Sequence, residues 1–279
     1  MSRVSRGRAV PRSSVLVGVA ITACALVGGL SGAALAQSGS LDWSSQNLNL
    51  DNNRFAALDE INAGNVSRLT QRWSYETGAT DNIAQATPLV VGGVMYLHSR
   101  STLFALDAVT GEELWTAVLD ARGPGSGPVR GPTFIGGNIY AYRGADLYAI
   151  DGTNGTPVES FGDQGVLSVV SNALQQKYPD DFPPNLDPLS IGYRITTPPA
   201  HHAGTMYVAA ALSEGHIPGG LLIATDPNTG AIKWVFNTIP QGPQDEGWEI
   251  ARDTWGDGAR AGGGIWTQPA IDAELGERL

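Results

Sequence analysis

Beyond about residue 85 the chain alternates short apolar runs with glycine-centred breaks, and the alternation repeats. Residues 87–115 read TPLVVGGVMYLHSRSTLFALDAVTGEELW, and residues 131–161 read GPTFIGGNIYAYRGADLYAIDGTNGTPVESF. A third unit enters at Thr197–Pro199, continues through AGTMYVAAAL and closes with GGLLIATDPNTGAIKW at Trp234. A fourth begins at TQPAIDAELG, residues 267–276. Each unit predicts the same elements: a Pro-bearing entry, a short strand, a Gly turn, a second strand (VMYLHS, NIYAYR) and a third (LFAL, LYAI, LLIA). The third strand runs into Asp-x-x-[Thr/Asn]-Gly, where the carboxylate can accept turn N–H groups and Gly accommodates positive φ. A final strand then closes on Trp or Phe, a large apolar side chain placed to pack on the next unit.

Four short strands per unit describe one blade of a propeller, so the expected fold is all-β with about three to four blades. Asp107 and Asp151 are 44 residues apart, inside the roughly 40–50 residues of known blade repeats. Asp151 to Asp226 spans 75, which predicts an insertion. Residues 171–194, rich in proline, are expected to form a long surface loop near the propeller mouth. A second irregular stretch, residues 241–260, is expected to overlie one face. Three blades and a fraction cannot close a ring without leaving an open sheet edge, so the pattern predicts part of a longer propeller.

The first 36 residues change the picture. Four Arg and no acidic residue precede an apolar stretch from Val15 to about Leu30, followed by Ala34-Leu35-Ala36. This is the layout of a secretory signal peptide cut after Ala36, leaving residues 37–279 as the propeller portion in the periplasm or outside the cell. An uncleaved anchor and a lipoprotein site at Cys24 are the lesser readings. Cys24 is the only cysteine, so the mature portion offers no disulfide, zinc–cysteine site or c-type haem motif. Redox chemistry there requires a bound cofactor. The net charge is −10; setting the leader aside leaves 13 basic against 27 acidic residues, which disfavours binding to nucleic acid. No phosphate loop or dinucleotide fingerprint occurs in a strand-to-helix context. The adjacent His201 and His202 on one strand would point to opposite faces, which makes structural or loop roles the expected ones.

The repeats ALDAVTGEELW and ATDPNTGAIKW, with a degenerate copy AIDGTNGTPVESF between them, resemble the tryptophan-docking repeat of the PQQ (pyrroloquinoline quinone)-dependent alcohol and sugar dehydrogenases. DNNRFAALDEINAGNVSRLTQRWSYETG, ATPLVVGGVMYLHS and AGGGIWTQPAIDAELG extend that resemblance over nearly all of residues 42–276. It implies an eight-bladed propeller with PQQ in the central funnel beside a Ca²⁺ or lanthanide ion. The metal polarises a quinone carbonyl while a carboxylate base takes the alcohol proton and hydride passes to the quinone. A small alcohol or sugar would be the substrate, and a cytochrome c or membrane quinone the electron acceptor. PVESFGDQGVL looks closer to the sugar branch than to the methanol branch.

The resemblance assigns Arg130 to the quinone oxygens and Thr196, or Thr197 if the register slips by one, to a hydrogen bond with PQQ. Glu214 becomes a calcium ligand, and Trp266 the floor beneath the cofactor, reached past three glycines that permit close backbone approach. Gln85 stands where many relatives have glutamate, and the stretch GPGSGP before Arg130 lacks the relatives' vicinal cysteine pair. The remaining calcium ligand, an asparagine, and the catalytic aspartate belong to later blades, so no catalytic base is assigned. The alternative from another class is a non-catalytic propeller acting as a protein-binding scaffold in the cell envelope.

Overall fold

A computed structural model describes residues 42–78, 85–120, 128–210 and 217–275. The strands fall into three four-stranded antiparallel meanders, each paired in chain order. The first holds β1 (Leu89–Val91), β2 (Val94–His98), β3 (Thr102–Asp107) and β4 (Glu113–Val118). The second holds β5 (Thr133–Ile135), β6 (Asn138–Arg143), β7 (Asp146–Asp151) and β8 (Val166–Leu167). The third holds β9 (Ala200–His202), β10 (Thr205–Ala210), β11 (Leu221–Thr225) and β12 (Ile232–Asn237). These are three blades of an unclosed propeller.

The β3–β4 and β11–β12 pairings slip at the same place, next to Leu106 and Thr225, just before the Asp-bearing turn. In those turns the Oδ1 of Asp107 accepts from the N–H groups of Val109 (2.9 Å) and Thr110 (2.7 Å), and that of Asp226 from Asn228 (2.8 Å) and Thr229 (3.2 Å). Each turn closes on a glycine at φ +76° (Gly111, Gly155, Gly230), a backbone region that other residues occupy at a cost.

Packing between blades follows from alternation along each strand. From β6, Ile139 and Ala141 enter a core shared with Leu89, Leu103 and Ala105 of the first blade. Tyr140 and Tyr142 enter the opposite core, shared with Met206, Val208 and Ile223 of the third. The middle blade is covered on both faces, which is why its strands read as nearly unbroken apolar runs. The docking aromatics act between blades as well. Trp115 lies flat against Gly155 of the second blade and donates its Nε1–H to the Gly152 carbonyl at 3.1 Å. Trp73, ahead of the first blade, packs on Gly111 and reaches the Ala108 carbonyl at 3.3 Å.

Two expectations need correction. The degenerate repeat does not close with a strand ending on Phe161. Pro157, without an N–H, makes only an isolated bridge to Ile150, and Val166–Leu167 takes the fourth place in the sheet. The stretch 171–194 is a surface loop only over residues 179–187, which are irregular and mostly exposed. It carries α1 (Val169–Lys177), whose Val169, Val170, Ala173 and Leu174 are buried along one face, and it contributes buried Tyr178 and Tyr193 to the core. The prolines that suggested a loop all follow the helix.

The irregular stretch 241–260 is joined to the end of this helix through residues 244–246. Asp245, buried, accepts from the Tyr178 hydroxyl (2.8 Å to Oδ1) and the Gln241 N–H (2.7 Å to Oδ2), and pairs with Lys177 Nζ at 3.0 Å. Within the stretch lie α2 (Trp248–Ala251) and a stacking of the Arg260 guanidinium over the Trp248 ring at 4.5 Å. Among the described residues no helix is long and apolar enough to cross a membrane.

Candidate functional site

The first strands of the blades converge, and a strap formed by residues 43–54 runs across their ends. Trp43 exchanges backbone bonds with Val90 of β1 at 2.7 and 3.1 Å, and the next residue, Ser44, accepts from Phe134 of β5 at 2.9 Å. Gln46 Oε1 then accepts from the Thr197 hydroxyl at 3.5 Å ahead of β9. Farther on, the Leu50 carbonyl accepts from Ile271 N–H at 3.0 Å, and Asn52 Nδ2 donates to the Gln268 carbonyl at 2.9 Å. Consecutive strap residues thus touch consecutive blades, the geometry of sheets arranged around a common axis.

The blade entries are tied to one another beneath the strap. The Pro199 carbonyl accepts from both Thr133 Oγ1 (2.6 Å) and Gln268 Nε2 (2.7 Å). The Thr87 N–H donates to the Arg130 carbonyl at 3.0 Å. Gly131 is at φ +117°, and a Cβ there would sit 2.4 Å from the Thr87 carbonyl oxygen, so only glycine allows this approach.

Arg130 is held at both ends. Its backbone N–H donates to the Tyr142 hydroxyl at 2.8 Å, and its Nη1 donates to the Thr196 carbonyl at 2.7 Å. Its guanidinium carbon lies 5.3 Å from the centre of the Trp266 ring, a cation–π distance. Arg130, Trp266, Arg54 and the strap carboxamides of Gln46, Asn47 and Asn52 line a cavity of about 370 Å³. Burial pushes the Tyr142 hydroxyl well above the ordinary tyrosine range, against the opposing influence of Arg130, so it remains neutral. Behind Tyr142 the His98 ring stands edge-on at 5.1 Å. His98 is fully buried, and desolvation lowers its pKa to about 4. Backbone groups of Gly131 and Tyr142 favour the charged ring slightly, yet neither ring nitrogen has a partner of ordinary hydrogen-bond geometry.

Trp266 reaches the cavity by way of residues 262–264. Gly262 N–H donates to the Ile217 carbonyl at 2.8 Å, and the Gly263 carbonyl accepts from Thr238 Oγ1 at 2.8 Å. A Cβ at Gly220 would lie 2.4 Å from the Gly263 carbonyl oxygen. The glycines therefore serve a close crossing of the β11 entry, and the indole beyond them is left 55% exposed.

Of the residues singled out from sequence, Arg130, Thr196 and Trp266 come together. Thr196 is 1% exposed and its hydroxyl has no partner, whereas the Thr197 hydroxyl is engaged with Gln46. Gln85 is exposed, two residues before Thr87, and does not line this cavity. Glu214 lies outside the described residues, as do the leader and residues 123–127 of the GPGSGP stretch before Arg130. Among the described residues no three His, Cys, Asp or Glu side chains group as a metal site. His201 and His202 both border a second cavity of about 390 Å³, also lined by Ser44, Asn49 and Gln268. The strap and Tyr142 escaped sequence reasoning; for Arg54 the only local signal was a guanidinium in an otherwise carboxamide-rich DNNR run.

Residues 43–277 match the family model of the PQQ glucose/ethanol/alcohol dehydrogenase β-propeller domain. The chain belongs to this family. It is 28% identical over 260 residues to a quinohemoprotein alcohol dehydrogenase of Comamonas testosteroni, covering 84% of this chain and 32% of the relative. It is 27% identical over 234 residues to the quinoprotein glucose dehydrogenase of Escherichia coli strain K12, covering 72% and 28%. The crystal structure of the Comamonas testosteroni quinohemoprotein alcohol dehydrogenase superposes with a TM-score of 0.66 at 26% identity, over 84% of this chain and 34% of that one. The chain thus spans about a third of the length of these relatives.

A planar quinone needs a cation for its oxygens, an aromatic surface and hydrogen-bond donors. The residues present fit that need. Arg130 and Trp266, which share one cavity with the strap carboxamides, carry that fit, and the buried Thr196 adds a hydroxyl without a hydrogen-bond partner among the described residues.

Proposed function

We propose that this chain supplies part of the cofactor funnel of a PQQ-dependent dehydrogenase that oxidises an alcohol or a sugar. The observation that carries the reading is the meeting of Arg130 and the Trp266 ring at one cavity, with Arg130 held there by the carbonyl of the buried Thr196. In such a funnel Arg130 would bind the quinone oxygens, Thr196 would add a hydrogen bond and Trp266 would support the ring plane, excluding water from one side. Bound there, the cofactor supplies a hydride acceptor, with calcium or a lanthanide as Lewis acid beside it. Glu214 is the residue proposed for the metal, and Gln85 for an amide contact. Electrons would leave to a cytochrome c or a membrane quinone. The Arg-rich leader supports export, with cleavage near Ala36.

Titration of the chain with PQQ and Ca²⁺ tests the reading. Tryptophan fluorescence should be quenched, the quenching should disappear in Trp266→Ala, and it should weaken in Glu214→Gln. Absence of any PQQ binding would leave the envelope-scaffold reading.

A further inference from the structure

The cavity that holds Arg130 contains a second guanidinium, to which the family resemblance assigns no role. Arg54 sits at the end of the strap and lines the same 370 Å³ space. Its Nε donates to Asn47 Oδ1 at 2.6 Å, which aims the planar head; among the described residues Nη1 and Nη2 have no hydrogen-bond partner. No acidic side chain lines this cavity among the described residues, although the whole chain carries a net charge of −10. Two cations and a set of carboxamides without a counter-charge make a site for an anion bearing several oxygen atoms.

The backbone supports the same reading. Arg54 stands at φ +55° and Asn52 at φ +56°, both left-handed. Asn tolerates that region; for Arg it is strained and persists only where surrounding contacts hold it. Those contacts are the Asn52–Gln268 and Leu50–Ile271 hydrogen bonds, which pin the strap beside Trp266. We infer that Arg54 is a second cofactor-binding residue, gripping a carboxylate of the bound quinone beside Arg130.

This rests on the PQQ reading and assigns a new residue within it. The test is equilibrium dialysis of the 279-residue chain against PQQ and against the trimethyl ester of PQQ, which keeps the quinone but has no free carboxylate. Arg54→Ala should weaken PQQ binding about tenfold and leave ester binding unchanged, and Arg54→Lys should recover part of the loss. Arg130→Ala should weaken both ligands. If Arg130→Ala weakens PQQ and Arg54→Ala does not, the role of Arg54 is overturned while the cofactor reading stands. If Arg54→Ala weakens PQQ and ester alike, its effect is structural and the carboxylate assignment fails. If the unaltered chain binds neither ligand, the cofactor reading fails and takes this inference with it.

Discussion

The hydroxyl of Tyr142 accepts the backbone N–H of Arg130 at 2.8 Å, so a side chain from β6 fixes the entry of its own blade. Tyr142→Phe keeps the ring and removes the acceptor, leaving a buried N–H without a partner. The expected loss is about 1–2 kcal/mol of stability together with a several-fold weaker PQQ affinity, since the Arg130 guanidinium is no longer held in place. Urea unfolding and dialysis measure the two effects separately; unchanged affinity with lowered stability would confine Tyr142 to the core.

His98 should make the fold sensitive to acid. Its pKa is about 4 in the folded chain and near 6.5 when unfolded, so between those values the unfolded state binds more protons. Stability from the neutral ring is therefore present above about pH 6.5 and falls as pH drops toward 4, by on the order of 3 kcal/mol in all. Unfolding free energies across that range should show a slope that His98→Gln reduces. An identical pH dependence in the two chains would contradict the burial argument.

Substitution at Gly155 should cost far more than at Gly136. A Cβ at Gly155 would meet the Trp115 ring at 2.6 Å, whereas at Gly136 it would meet nothing within 4 Å, and both residues are at positive φ. Gly136→Ala is expected to cost about 1 kcal/mol for the backbone alone, and Gly155→Ala about 3 kcal/mol or more with the docking displaced. Denaturant midpoints of the two variants decide it.

Asp245→Leu should be strongly destabilising, because it removes the buried carboxylate that accepts from Tyr178 and Gln241 and pairs with Lys177, whose remaining acidic partner, Glu246, is exposed. The expected loss is about 3–5 kcal/mol, with earlier proteolysis in residues 241–260 than in the blades. Limited digestion followed by mass analysis would locate the cut; even cleavage throughout would mean that Asp245 does not anchor this stretch in particular.

The blades were legible in the sequence because each states its pattern locally. An Asp three residues before Thr or Asn and four before Gly specifies a turn, and alternation specifies which residues face which core. Helix α1 was also written locally, in the spacing of Val169, Val170, Ala173 and Leu174, but the prolines after it drew the reading toward a loop. Arg130, Thr196 and Trp266 were reachable only through family resemblance, since nothing around them specifies that they meet. The strap could not be read at all. Its hydrogen bonds run to residues from 47 to more than 200 positions away, and no local periodicity records such partners.

That strap also sets an order of events during synthesis. Asn52 emerges from the ribosome 216 residues before Gln268, the partner that closes over it. At about 5–20 residues per second, the amino-terminal arm must wait roughly ten to forty seconds with its left-handed backbone unsupported. The pocket is thus finished only when residues 266–271 arrive, and an early-made blade stack should remain unable to hold a ligand until they do.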